Sequence, residues 1–238
     1  MIRRLRSFMS GLRGSRDKAA ATTSESIDYK NTTSRKDLPE VLKTPEDRFW
    51  NWFIRDRLFI ETFITDSDPV IDAIQEQLNL ISPHVTFEIG QSAKGTFEFI
   101  ISAGGVKKLI PVVSRLHNAA PRMKGWKVIA FKPRHATPMI EYGGQRFSLS
   151  DFFYASKNGE GGKTDLVVCI RGFRKAREKT YGLVGFLFLD TVLGEYDVMT
   201  DLGKIEFGDL PPGPIKLSGL KPLKELAVEI DSRKSGTQ

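Results

Sequence analysis

A chain of 238 residues with 40% apolar side chains and 16 phenylalanines holds enough core material for one large domain or two small ones. Its single cysteine excludes an internal disulfide framework, and no stretch approaches the ~20 apolar residues a membrane-crossing helix needs. The formal charge of +7 names no partner by itself, but it is unevenly spread, and that bears on binding more than on fold.

Ile2, Leu5, Phe8, Met9 and Leu12 recur at helical spacing, with Arg3, Arg4, Arg6 and Arg13 between them. Arg6 interrupts the apolar run that a secretory signal needs. The segment reads as a disordered basic leader. Peripheral contact of residues 2–13 with an anionic membrane, or an organellar transit peptide in a eukaryotic source, are the alternatives. Residues 14–44 are rich in Ser, Thr, Lys and Asp and bury too little to order themselves, so 1–44 is expected to be leader and linker.

Thr44-Pro45-Glu46-Asp47 starts a helix: Thr44 can cap and Pro45 fits the first turn. Phe49, Trp50, Trp52 and Phe53 should anchor it. A second helix follows Asp66-Ser67-Asp68-Pro69, with Val70, Ile71, Ile74 and Leu78 on one face. The period then changes to two, and Val85–Ile89 and Phe97–Ile101 predict a hairpin. Gly104-Gly105 leads into a helix over 106–118, and Trp126–Phe131 reads as a strand. Gly143-Gly144 predicts a hairpin turn between 139–142 and 145–149. Lys157–Lys163 reads as a loop, 165–171 as a buried strand holding Cys169, and 179–193 as a helix or, over 183–189, a strand. A strand over 203–207, a rigid connector at Pro211–Pro214 and a helix over 218–230 complete the chain. The expected fold is α+β: a single domain over 45–230 with amphipathic helices on a mixed or antiparallel sheet, and a disordered tail over 231–238. A structural echo of the first half's β-β-α-β order in the second half is a further expectation.

The Phe49-Trp50-Asn51-Trp52-Phe53 helix, the Trp126-Lys-Val-Ile-Ala-Phe-Lys-Pro133 strand and the Leu193-Gly194-Glu195-Tyr196 turn resemble features of a group of uncharacterised bacterial proteins, over about residues 45–207. The resemblance implies a bacterial protein and carries over no functional residue, while the single cysteine fits a reducing, cytoplasmic compartment.

Between Glu98 and Glu141 there is no acid, but Lys107, Lys108, Arg115, Arg122, Lys124, Lys127, Lys132 and Arg134 all fall there. Residues 45–98 hold ten acids against four bases. The basic window predicts a docking surface for an acidic protein partner, or one neutralised within the chain. Nucleic acid is a further reading, and it needs one of Trp126 and Phe131 exposed for stacking. Asp190, Glu195, Asp197 and Asp201, with Glu206 nearby, supply oxygen donors for a divalent metal, although their spacing fits no EF-hand loop. Asp190, inside an apolar run, is expected to find an arginine among Arg171, Arg174 and Arg177. His84, His117 and His135 have no partner at metal-ligand spacing, so no catalytic residue is assigned. No cofactor is expected. The reading is a non-catalytic intracellular interaction protein, with a metal-dependent enzyme as the alternative.

Overall fold

The computed structural model describes residues 43–213 and 219–235, together with the backbone of Leu5–Arg6. The rest of the leader and linker, Pro214–Ser218 and the last three residues lie outside the described residues.

Helix α1 (Pro45–Arg55) opens with a reciprocal cap. Asp47 N donates to Thr44 Oγ1 at 3.1 Å, and Thr44 N donates to Asp47 Oδ2 at 3.2 Å. Phe49, Trp50 and Phe53 are buried on one face, and Trp50 Nε1 donates to the carbonyl of Leu116 at 2.7 Å. Short helix α2 (Arg57–Ile60) and α3 (Asp68–Asn79) follow, and α3 buries Val70, Ile74 and Leu78 at helical spacing.

These helices cover one face of a sheet built from β2 (Thr86–Gln91), β3 (Phe97–Ser102) and β4 (Trp126–Ala130), with α4 (Ile110–Asn118) crossing from β3 to β4. β2 and β3 are antiparallel and β3 and β4 parallel, in register Phe87↔Ile101 and Phe99↔Val128. The two-residue strand β1 (Leu5–Arg6) pairs antiparallel with β2.

The hairpin β5 (Met139–Tyr142) and β6 (Gln145–Ser148) turns through Gly143 and Gly144 at φ of 57° and 71°, the left-handed pair such a two-residue turn requires. Then come β7 (Phe152–Asn158), β8 (Thr164–Ile170), α5 (Glu178–Leu193), α6 (Glu195–Asp201) and β9 (Leu202–Asp209). β7 and β8 are antiparallel, β8 and β9 parallel. The second half therefore repeats the β-β-α-β order and strand directions of the first. β10 (Lys221–Pro222) pairs with β7, and α7 (Leu226–Ser235) closes the described chain.

The fold is α+β and a single domain, with seven α-helices and three mixed or antiparallel sheets among the described residues. Each large sheet has its own apolar cluster, around Phe53, Phe87 and Phe99 in one and Phe152, Phe188 and Leu226 in the other. The helix expected over 179–193 is present as α5, which excludes the alternative strand over 183–189. Three expectations are corrected. Phe152–Asn158 is a strand, which takes Lys157 and Asn158 out of the expected loop. Glu195–Asp201 is a helix rather than part of a turn. The last helix begins at Leu226 because Lys221-Pro222 is drawn into the sheet, and it runs on to Ser235 because Asp231, Arg233 and Lys234 all make ion pairs.

Candidate functional site in the cleft between the halves

The chain leaves β4 through Phe131, which sits at φ 62°. A bulky residue there costs roughly 1–2 kcal/mol, so its surroundings must impose the conformation. They do so from both halves. Phe131 N donates to Ile101 O at 2.7 Å, and the Phe131 ring packs on Tyr196 with centroids 5.1 Å apart.

Glu195 completes the joint. Its fully buried carboxylate accepts from Ser102 Oγ at 2.8 Å and Gly105 N at 3.2 Å through Oε1, and from Lys132 N at 3.0 Å through Oε2. Its own amide donates to Lys132 O at 2.9 Å. Three donors on one carboxylate match the requirement that a buried charge be hydrogen-bonded. Gly194, at φ 83°, brings this turn close: a Cβ would stand 3.4 Å from Arg134 N and from Lys132 O. The strand and turn that carry the resemblance thus meet each other and lock the halves together.

Beside this joint lies a cleft of about 490 Å³. Leu183, Phe186 and Leu187 from α5 and Ile205 from β9 form apolar walls, and Phe186 is 45% exposed there. Thr86 and Glu88 of β2, Gly104-Gly105, Lys132 and Asp190 contribute the polar lining. Glu88 is 3% exposed, and Lys132 Nζ stands 3.9 Å from its Oε1, at the outer limit of an ion pair. Two carboxylates thus share the cleft with one ammonium. Such a lining holds an apolar body and orients a polar end.

The basic window does not form one surface. Lys107 and Lys108 lie beyond the C-terminal end of β3, while Arg122, Lys124 and Lys127 lie at the start of β4, which is parallel to β3. The helical turns between them span roughly 18 Å at 1.5 Å per residue. Arg115 pairs with Glu46 at 3.1 Å. Lys132 turns into the cleft, and Arg134 is taken up by Asp197 at 2.6 Å and Asp231 at 2.7 Å. Part of the positive charge is therefore neutralised within the chain.

The expected metal ligands are also dispersed. Glu195 serves the joint, Asp197 pairs with Arg134 and Lys234, Asp201 pairs with Lys234, and Asp190 faces the cleft. No three His, Cys, Asp or Glu side chains group as a metal site among the described residues. Asp190 does not meet Arg171, Arg174 or Arg177. It lies thirteen residues beyond Arg177 along α5, roughly 20 Å at the rise of a helix. Trp126 and Phe131 are both buried, with Trp126 stacked on Phe97 at 4.8 Å, so neither offers a stacking face. Cys169 is buried in β8, and burial, with Asp209 nearby, pushes its thiol pKa up.

Sequence reasoning missed Glu88. Alternation along β2 assigns it to a solvent face, but the second half covers that face. Its signal is a lone acid between Phe87 and Ile89. Compared with known proteins, the chain matches no family model, no curated protein and no solved structure.

Proposed function

We propose that this chain is a non-catalytic binding protein whose site is the cleft between its β-β-α-β halves, and that it takes a small molecule with an apolar body and a cationic head. The observation that carries this reading is that two carboxylates, Glu88 and Asp190, line one side of a cleft walled by Leu183, Phe186, Leu187 and Ile205. The volume of about 490 Å³ falls in the range of small-molecule sites, and carboxylates at the polar side suit a cationic head.

The test is titration of the full chain with octylamine and, in parallel, octanoate, followed by heteronuclear NMR. Octylamine should saturate one site and shift resonances of Glu88, Phe186 and Asp190. Glu88→Gln should weaken it about tenfold. Equal binding of octanoate would sink the cationic-head reading.

An acidic protein partner on the basic surface is the second reading, narrowed to Lys107 and Lys108. Both are exposed, and the neighbouring Lys163 ammonium holds the Lys107 pKa below its ordinary value. Carboxylates from a partner would relieve that repulsion. Reversal of both charges, Lys107→Glu with Lys108→Glu, should abolish capture of such a partner from nuclease-treated lysate. Retention of every partner would end this reading.

A further inference from the structure

At the N-terminal end of α5, apart from the cleft and independent of any reading of it, β6, the end of β8 and the turn Arg171–Arg177 enclose a polar recess of about 380 Å³. Among the described residues four arginines line it, Arg146, Arg171, Arg174 and Arg177, against one carboxylate, that of Asp151. Two of the four have acidic neighbours. Arg171 lies 3.4 Å from Asp151, and Arg146 lies 3.6 Å from Glu141. The other two make no ion pair among the described residues. Arg177 Nη1 donates to the neutral Gln145 Oε1 at 2.6 Å, and the Arg174 guanidinium meets no carboxylate or hydrogen-bond acceptor among the described residues.

The backbone that carries them is fixed before any ligand arrives. Tyr181 Oη donates to Gly172 O at 2.6 Å, Arg171 N to Asp151 O at 2.8 Å and Phe173 N to Ile170 O at 3.2 Å. The Tyr181 ring also packs against Phe147 and Phe173, with centroids 5.7 and 5.2 Å away. A stiff turn lowers the ordering cost of binding. This is the local convergence of cations that the acid-free window lacks.

We propose that this recess is a binding site for a small phosphate-bearing molecule. Two guanidiniums that make no ion pair among the described residues call for at least two negative charges within one compact group. A phosphoryl or diphosphoryl group supplies them, with oxygens that match the guanidinium fork, whereas a monocarboxylate supplies one. A recess of this size admits a small molecule and not a nucleic-acid helix.

Calorimetric titration of the full chain with inorganic pyrophosphate tests the proposal, with acetate as the monoanion. Pyrophosphate should bind saturably at one site and weaken as salt rises. Arg174→Gln and Arg177→Gln should each weaken it about tenfold with an unchanged thermal midpoint. Lys175→Gln, on the same turn but outside the recess, should leave it intact. The proposal is overturned if pyrophosphate never saturates, if acetate binds as well, or if Lys175→Gln costs as much as Arg177→Gln, which would mean diffuse attraction to a basic surface.

Discussion

The two β-β-α-β halves share strand order and direction but use their crossover helices differently. In the first, α4 covers its own sheet with Val113 and Leu116 and presents Arg115 outward. In the second, α5 buries Tyr181, Val184, Phe188 and Leu189 and still exposes Phe186 to the cleft. A helix apolar on nearly every side serves two layers at once. The first half therefore supplies most of the polar lining, from Thr86, Glu88 and Lys132, and the second supplies Asp190 and most of the apolar wall. The cleft is lined from both halves and is contained in neither alone.

The largest expected effect comes from breaking the joint. Glu195→Ala leaves the Ser102, Gly105 and Lys132 donors without their carboxylate acceptor, and should cost about 3–5 kcal/mol in chemical denaturation. Loss below about 1 kcal/mol would mean that the halves are held by apolar contact alone.

Acid should loosen the second half before the first. Burial alone would raise the Glu229 pKa, but hydrogen bonds from Lys221, Ser156 and Tyr154 outweigh it and bring it down to about 2. A depressed folded pKa contributes stability that is present above the ordinary value of 4.5 and is lost as pH falls towards 2. The expected loss is about 3 kcal/mol, taken from the clamp between α7 and β7. All three tryptophans, Trp50, Trp52 and Trp126, lie in the first half. Amide exchange in β7 should therefore accelerate in acid before tryptophan fluorescence changes, and Glu229→Gln should flatten that pH dependence.

Packing of the crossover helix is a sharper probe. A Cβ at Gly185 would overlap the Phe207 ring, so Gly185→Val should cost about 2 kcal/mol and disturb the second half. The smallest effect belongs to the first half's entry. Thr44→Ala removes the α1 cap and should cost about 1 kcal/mol, leaving octylamine binding unchanged.

Much of the first half was legible because its signals are local. The Thr44-Pro45 cap, the spacing of Val70, Ile74 and Leu78, and the alternation around Phe87 and Phe99 each fix an element within a few residues. Phe152–Asn158 was harder to read: its aromatics are consecutive rather than alternating, since Phe152, Phe153 and Tyr154 are all buried. Leu220–Ile230 carries a helical stripe, yet Lys221-Pro222 pairs with Phe153 and Tyr154 through contacts distant in sequence. The site was hidden for the same reason. Glu88 looks like a solvent-facing residue until a helix a hundred residues away lies over it, and the recess arginines are split between a hairpin and a turn.

The sequence by itself determined most of the element types and the α+β class, because periodicity, capping and turn chemistry act over a few residues. Only tertiary structure decided which charges cancel, which aromatics are covered and where carboxylates or guanidiniums gather. Those outcomes depend on through-space distances, and at these distances Coulomb and desolvation energies are set by partners from the other half of the chain.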